Sequence, residues 1–192
     1  MDVFFDNFWW MGINLGLALL GLIFAILFLH SKNHFFKLIY LILWVLFVPN
    51  TIYIITDIMH LSEQFPDVNV LFRILLVVQY LLFIGLGVAV YIASVYPIEV
   101  YFSKKKRNQK TAVFFIFLFN FLIAFAVAIG KIERTNSWYI ITDPLSVLRD
   151  LYLIAAAYQT MFFVLVFGII LNILYFYIIR LFRKDLSKIF KA

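Results

Sequence analysis

An aspartate and a histidine stand three residues apart where a long apolar stretch ends, at Asp57 and His60. Residues three apart on a helix lie on one face, so the carboxylate and the imidazole can approach each other. Such a pair can share a proton as general acid and base, or hold a metal ion. The plainer interpretation is that both side chains only form hydrogen bonds at the edge of the apolar stretch. Asp57 and His60 are our hypothetical catalytic residues, with no metal site assigned and the cofactor left unknown.

The residues before this pair extend the same polar face. Helical spacing places Asn50 and Tyr53 near the face of the pair, and we take both as hypothetical substrate-binding residues. Pro49 is expected to interrupt the helix, because proline lacks a backbone N–H and clashes with the preceding turn. The side chains of Asn50 and Thr51 could then satisfy backbone groups that the interruption frees.

A second polar cluster lies between Gly130 and Pro144. Asp143 directly before Pro144 is typical of a turn or of a helix start with proline at its first position. The cluster could form a lid or wall over a site shared with the first pair, where an arginine could bind a phosphate with two N–H groups. The plainer interpretation is a loop packed over the outer face. The hypothetical substrate-binding residues of this cluster are Glu133, Arg134, Asn136, Trp138 and Asp143.

The two clusters resemble each other in sequence. Residues 50–57 and 136–143 are identical at six of eight positions, and each segment precedes an apolar stretch that contains a glutamine, Gln79 or Gln159. An internal repeat of the kind found in some transporters would explain the match. A chain so rich in isoleucine and tyrosine also produces such matches by chance, so both explanations stay open.

The composition predicts a membrane protein around these clusters. Hydrophobic residues make up 66% of the 192 residues and charged residues 14%, and the mean hydropathy is +1.03. A soluble fold of this length could not bury so much apolar surface. The net charge of +6 comes from basic residues that flank apolar stretches, which favours contact with lipid headgroups over nucleic acid. The absence of cysteine excludes disulfides and thiolate chemistry.

Five apolar stretches are long enough to cross a bilayer as helices. Their all-round apolar character favours helices over barrel strands, which would alternate. We therefore predict an all-α polytopic membrane bundle that forms one domain over residues 1–192. The predicted spans are 8–29, 35–55, 70–96, 111–129 and 151–179.

The basic residues predict the orientation of the chain. Most of the lysines and arginines fall in residues 30–37, 104–110 and 180–191, and these segments share one side of the five-span arrangement. Because basic loops stay in the cytoplasm, we predict an external N-terminus and an internal C-terminus. Residues 178–192 alternate apolar and basic positions at helical spacing, so we predict an amphipathic helix at the inner interface; a partner-binding tail is the alternative.

The first cluster resembles domain-of-unknown-function family 1361, small multi-pass membrane proteins found mainly in bacteria. Its pattern Leu-Phe-x-Pro-Asn-x-x-Tyr-x-x-Thr-Asp-x-x-His-Leu is matched from Leu46 to Leu61. A later pattern is similar to the segment from Gly130 to Pro144, where Lys131 and Tyr139 stand in place of the usual Arg and Asp. The resemblance implies a multi-pass protein of the bacterial plasma membrane, and it implies no activity.

Two functions fit these observations. The first is a non-enzymatic membrane protein with a polar site at the outer face, either a small-molecule carrier or a subunit of a complex. Five helices are few for a carrier, which suggests a homo-oligomer or a membrane-protein partner, with lipids around it and no nucleic acid. The alternative is a membrane-embedded enzyme that acts on a lipid or envelope precursor through Asp57 and His60. No phosphate loop, zinc-protease motif or serine elbow occurs in the sequence.

Overall fold

The structure is a computed structural model that describes residues 2–106, 109–133 and 139–189. Every regular element in these ranges is a helix, as the composition predicts. A short 3₁₀ turn, Phe65–Asp67, precedes the fifth helix, and a π-helical turn, Ile129–Glu133, follows the sixth. The helices are α1 (Asp2–His30), α2 (His34–Phe47), α3 (Pro49–Thr56), α4 (Ile58–Gln64), α5 (Val70–Lys106), α6 (Gln109–Ala128), α7 (Tyr139–Thr142), α8 (Pro144–Ala156) and α9 (Tyr158–Ile189).

Five helical segments are long and apolar enough to cross a bilayer, which confirms the predicted number of spans. The second segment combines α2, α3 and α4, whose interruptions do not end the apolar run. A helix satisfies its own backbone hydrogen bonds, and lipid requires this of any exposed segment. The five segments are Val3–His30, His34–Gln64, Val70–Lys104, Gln109–Glu133 and Tyr158–Leu186.

The structure differs from the prediction where the last span begins. Residues 151–156 of the predicted span 151–179 belong to α8, and a new helix begins at Tyr158. The two helices are separated by Ala157, whose backbone is extended with φ −85° and ψ 109°. At the other end, α9 continues without interruption to Ile189, so the basic tail extends the last span's own helix.

The chain forms two compact units, residues 1–94 (unit 1) and 95–192 (unit 2), and their boundary falls inside α5. The expectation of a single domain stays a prediction.

In unit 1, α1 packs against α2 and α3. The buried core includes Met11, Ala18, Ile54, Tyr80 and Phe83. Ala18 is the small residue in this set, of the kind that permits close packing between membrane helices.

A side-chain hydrogen bond connects the second and third spans inside unit 1. The indole Nε1 of Trp44 donates to the hydroxyl of Ser94 at 2.9 Å, and both side chains are buried. The same two spans approach closely at Gly87. A Cβ atom there would lie 2.9 Å from the backbone oxygen of Thr51 and 3.0 Å from Cγ2 of Ile54. Only glycine fits this contact without a shift of the neighbouring backbone.

In unit 2, α6 packs along α9. The amide of Asn120 donates to Oδ1 of Asn172 at 3.0 Å between these two helices. Asn172 in turn donates to the backbone oxygens of Gly168 at 2.9 Å and Phe117 at 3.2 Å. A Cβ atom at Gly168 would overlap the ring of Phe121, so any larger residue at this position requires the Phe121 side chain to move.

Gly87 and Gly85 provide a matched test of the close contact in unit 1. Gly87→Ala is expected to lower the free energy of unfolding by about 1–3 kcal/mol, because the methyl group is forced against the backbone of α3. Gly85→Ala is expected to leave stability unchanged or to raise it, since nothing lies within 4 Å of a Cβ there and alanine favours helix. Thermal unfolding of the purified variants in detergent measures both effects. Equal stability of the two variants would contradict the packing.

Candidate functional site

The second span is interrupted twice, near its middle and again closer to its end. Helix α2 ends at Phe47 and α3 begins at Pro49, which occupies the first helical position. The side-chain amide of Asn50 donates to the oxygen of Phe47 at 3.1 Å, and the hydroxyl of Thr51 donates to the oxygen of Val48 at 2.7 Å. Both side chains therefore serve the backbone at the break, as predicted.

Asp57 lies at the second interruption, between α3 and α4. The residue is 2% exposed, although its segment is a candidate span. Its Oδ2 accepts a hydrogen bond from Nδ2 of Asn14 on α1 at 3.0 Å. A carboxylate at membrane depth is costly unless protein groups replace its water. The Asn14 amide supplies part of that replacement and fixes the carboxylate against α1.

His60 lies one turn further along, in α4, and its side chain is 44% exposed. Its Nδ1 is 3.0 Å from Oε2 of Glu63, and its ring meets the indole of Trp10 edge-on at 5.9 Å between centroids. The backbone N–H of His60 donates to the oxygen of Asp57 at 3.0 Å. The two hypothetical catalytic side chains thus have different neighbours: the carboxylate is buried against α1, and the imidazole pairs with an exposed glutamate.

The two hypothetical substrate-binding residues of the same segment, Asn50 and Tyr53, are both half-buried. The amide of Asn50 is engaged by the backbone of Phe47. Tyr53 is half-buried in α3, and its backbone oxygen accepts the hydroxyl of Thr56 at 2.6 Å.

Sequence reasoning missed a group of amides beside this segment, which we call the amide cluster: Asn7, Gln64 and Gln79. Asn7 and Gln64 exchange two hydrogen bonds, of 3.0 and 2.9 Å, and Asn7 also donates to Oε1 of Gln79 at 3.2 Å. The indole of Trp10 donates to Asn7 at 2.9 Å, and Gln79 donates to the backbone oxygen of Phe4 at 3.1 Å. The cluster joins α1, α4 and α5 in unit 1.

A sequence signal for the amide cluster did exist. Each of its members is a polar residue inside or at the end of an apolar stretch, and such residues usually face the protein interior. Gln79 was noticed only as part of the possible repeat.

The residues that correspond in the possible internal repeat differ in burial, so the structure lends the repeat little support. Gln79 is buried in the amide cluster, whereas Gln159 is exposed. Asp57 is buried between helices, whereas Asp143 is exposed. Part of the second segment, residues 136–138, lies outside the described residues, so duplication stays a hypothesis.

The second predicted cluster is described only in part. Glu133 ends the π-helical turn and is half-buried. Oδ1 of Asp143 accepts from the backbone N–H of Ser146 at 3.2 Å, so Asp143 caps α8 with Pro144 at the first position, which confirms the predicted helix start. Convergence of this cluster with the first one stays a prediction. The remaining three hypothetical binding residues, Arg134, Asn136 and Trp138, lie outside the described residues.

Unit 2 contains a buried acid that the sequence did not single out. Glu99 is 4% exposed, and its Oε2 accepts from the hydroxyl of Tyr175 at 2.6 Å. Within the part of the chain that the structure describes, no three histidine, aspartate or glutamate side chains are close enough to hold a metal ion.

Asn7 offers a direct test of the amide cluster. Asn7→Ala removes the partner of two glutamines and of the Trp10 indole, and we expect a loss of about 1–2 kcal/mol of stability. Asp6→Ala is the control, because Asp6 is the neighbouring exposed residue on the same helix. Thermal unfolding in detergent should separate the two variants; a similar loss in both would show that the cluster contributes little.

Neither a curated protein nor a solved structure matches the chain. The family model described as "Protein of unknown function (DUF1361)" matches residues 13–174, which include Asn14, Asp57, His60 and Gln79. The chain therefore belongs to the DUF1361 family of proteins of unknown function, and it is a multi-pass membrane protein.

Proposed function

We propose that the chain is a non-enzymatic protein of the bacterial plasma membrane that binds a small molecule at a polar site around Asp57. It acts as a carrier, or as a subunit of a larger membrane complex that includes further copies or another membrane protein. The observation that carries this proposal is the burial of Asp57, at 2% exposure, inside a candidate span where its carboxylate is held by Asn14.

The interrupted second span supports a binding role. Carriers commonly place their binding sites where a membrane helix is discontinuous, because the break frees backbone groups for a ligand. Here the helix is interrupted at Val48 and again at Asp57. At the first interruption the side chains of Asn50 and Thr51 already bond the backbone oxygens, so the support for a ligand site comes from the interruption at Asp57. An acidic residue inside a membrane segment is a functional candidate by its cost alone.

The enzymatic alternative has weaker support. It requires Asp57 and His60 to act on one reacting group, yet the carboxylate contacts Asn14 and the imidazole contacts Glu63. General acid–base chemistry depends on both groups lying within hydrogen-bond reach of the same substrate atoms.

Substitution of Asp57 tests the binding role. We expect Asp57→Asn and Asp57→Leu to lower the amount of bound molecule about tenfold or more, because a hydrogen bond to a charged group contributes about 1.5–3 kcal/mol. The measurement is mass spectrometry of small molecules extracted from protein purified in polymer-bounded native membrane discs. Asp6→Asn, the same chemical change at an exposed position of unit 1, should retain the molecule. Equal contents in all variants would refute the proposal, provided that each elutes as a folded protein.

The site faces the cell exterior in this proposal, with the N-terminus outside and the C-terminus inside. The basic segments on the other side support the orientation. The chain has no cysteine, so single-cysteine labelling needs no background removal.

Ser62 stands near the end of the second candidate span and Ser103 near the end of the third. In the proposed orientation the third span separates them, with Ser62 outside and Ser103 inside. A membrane-impermeant maleimide applied to intact cells is expected to label Ser62→Cys and to label Ser103→Cys only after the cells are opened. The reverse pattern would invert the orientation and place the Asp57 site in the cytoplasm.

A further inference from the structure

An apolar groove of about 380 Å³ runs between α1 and α5 in unit 1. Its floor is formed by buried side chains, among them Met11 and Phe83, each 5% exposed. Its rim is open, since Phe8, Leu82 and Leu86 are at least half exposed. Gln79 is the one polar side chain among the described lining residues, and its amide is already bonded within the amide cluster.

The dimensions of the groove match one leaflet of a bilayer. Its walls extend from Phe4 to Leu15 on α1 and from Leu75 to Leu86 on α5. At 1.5 Å per residue this length is about 17 Å. Half of a typical hydrocarbon core is about 15 Å thick. The groove therefore begins near the start of two candidate spans and ends close to the middle of the membrane.

The chemistry of the walls identifies the class of occupant. Within a candidate span the medium is hydrocarbon, and the apolar walls of the groove offer a polar solute almost no hydrogen-bond partners. The groove gains dispersion contacts when a flexible chain fills it, because an unfilled void forfeits those contacts. A polar headgroup would then lie beyond the Phe4 and Leu75 end, about one helical turn from Asn7 and Gln79 of the amide cluster.

We propose that this groove binds one hydrocarbon chain of a membrane lipid from the leaflet that contacts the amide cluster. The site holds this chain in place of the exchanging lipid that covers the rest of the surface. It shares no residue with the Asp57–Asn14 pair, so it goes beyond the proposed function and does not depend on it.

Two glycines of α1 provide matched variants. Gly12 lines the groove, and Gly16, one turn later, is not among the lining residues. At both positions a Cβ atom would meet nothing within 4 Å, and both residues are exposed. Gly12→Leu therefore places an apolar side chain at the groove from a Cβ position that is free of contacts. Gly16→Leu makes the same change in helix preference outside the groove.

The experiment uses the full chain in nanodiscs of phosphatidylcholine that contain a small fraction of phosphatidylcholine with a diazirine in its acyl chain. After illumination, mass spectrometry of the peptides locates the attached lipid. Leu86 in the groove and Ile42 on α2 are matched probes, since they are 50% and 51% exposed. We expect more label at Leu86 than at Ile42, loss of that excess in Gly12→Leu, and retention of it in Gly16→Leu.

Each other outcome would overturn the proposal. Equal label at Leu86 and Ile42 in the wild-type protein would mean ordinary exchanging lipid. Less label at Leu86 would mean that a helix of a second copy or of a partner covers the groove. The same excess in Gly12→Leu as in wild type would place the lipid elsewhere. The wild-type comparison stands by itself if Gly12→Leu fails to fold.

Discussion

Polar side chains inside this protein must find their hydrogen-bond partners within the protein, because hydrocarbon offers them none. An unsatisfied polar group at membrane depth costs several kcal/mol. In unit 1 the amide of Asn14 meets the carboxylate of Asp57. In unit 2 Asn120 meets Asn172, and Tyr175 meets Glu99. Apolar contacts with lipid and with protein are nearly equivalent, so these few polar contacts do much to fix which helix faces lie together.

The same requirement limits what Asp57 can do. Its carboxylate is placed by Asn14, on a helix that precedes it in the chain by 43 residues. His60, in contrast, is half-exposed and pairs with its own helical neighbour Glu63. Helical spacing alone suggests that Asp57 and His60 form a pair on one face. In the structure Asp57 is buried and the His60 side chain is nearly half exposed. The two side chains therefore have different hydrogen-bond partners, Asn14 for Asp57 and Glu63 for His60.

Sequence alone predicts the features of this chain that depend on composition or on local geometry. The number of spans follows from the apolar stretches, and the break at Pro49 and the cap at Asp143 follow from proline chemistry. The start of the last span was not predictable, because Ala157 separates α8 from α9 and neither glycine nor proline stands beside it. Partners far apart in sequence were also missed. Asn7, Gln64 and Gln79 each resemble an isolated boundary residue until the fold brings them together.

The position of Asn7 near the start of the chain has a consequence for biosynthesis. Its partners Gln64 and Gln79 follow it by 57 and 72 residues. A ribosome adds about 5–20 residues per second, so the first helix is made several seconds before its partners exist. During that interval the Asn7 amide depends on water or on the insertion machinery for its hydrogen bonds. The hydrogen bond from Asn7 to Gln79 can form only after the third span has been made.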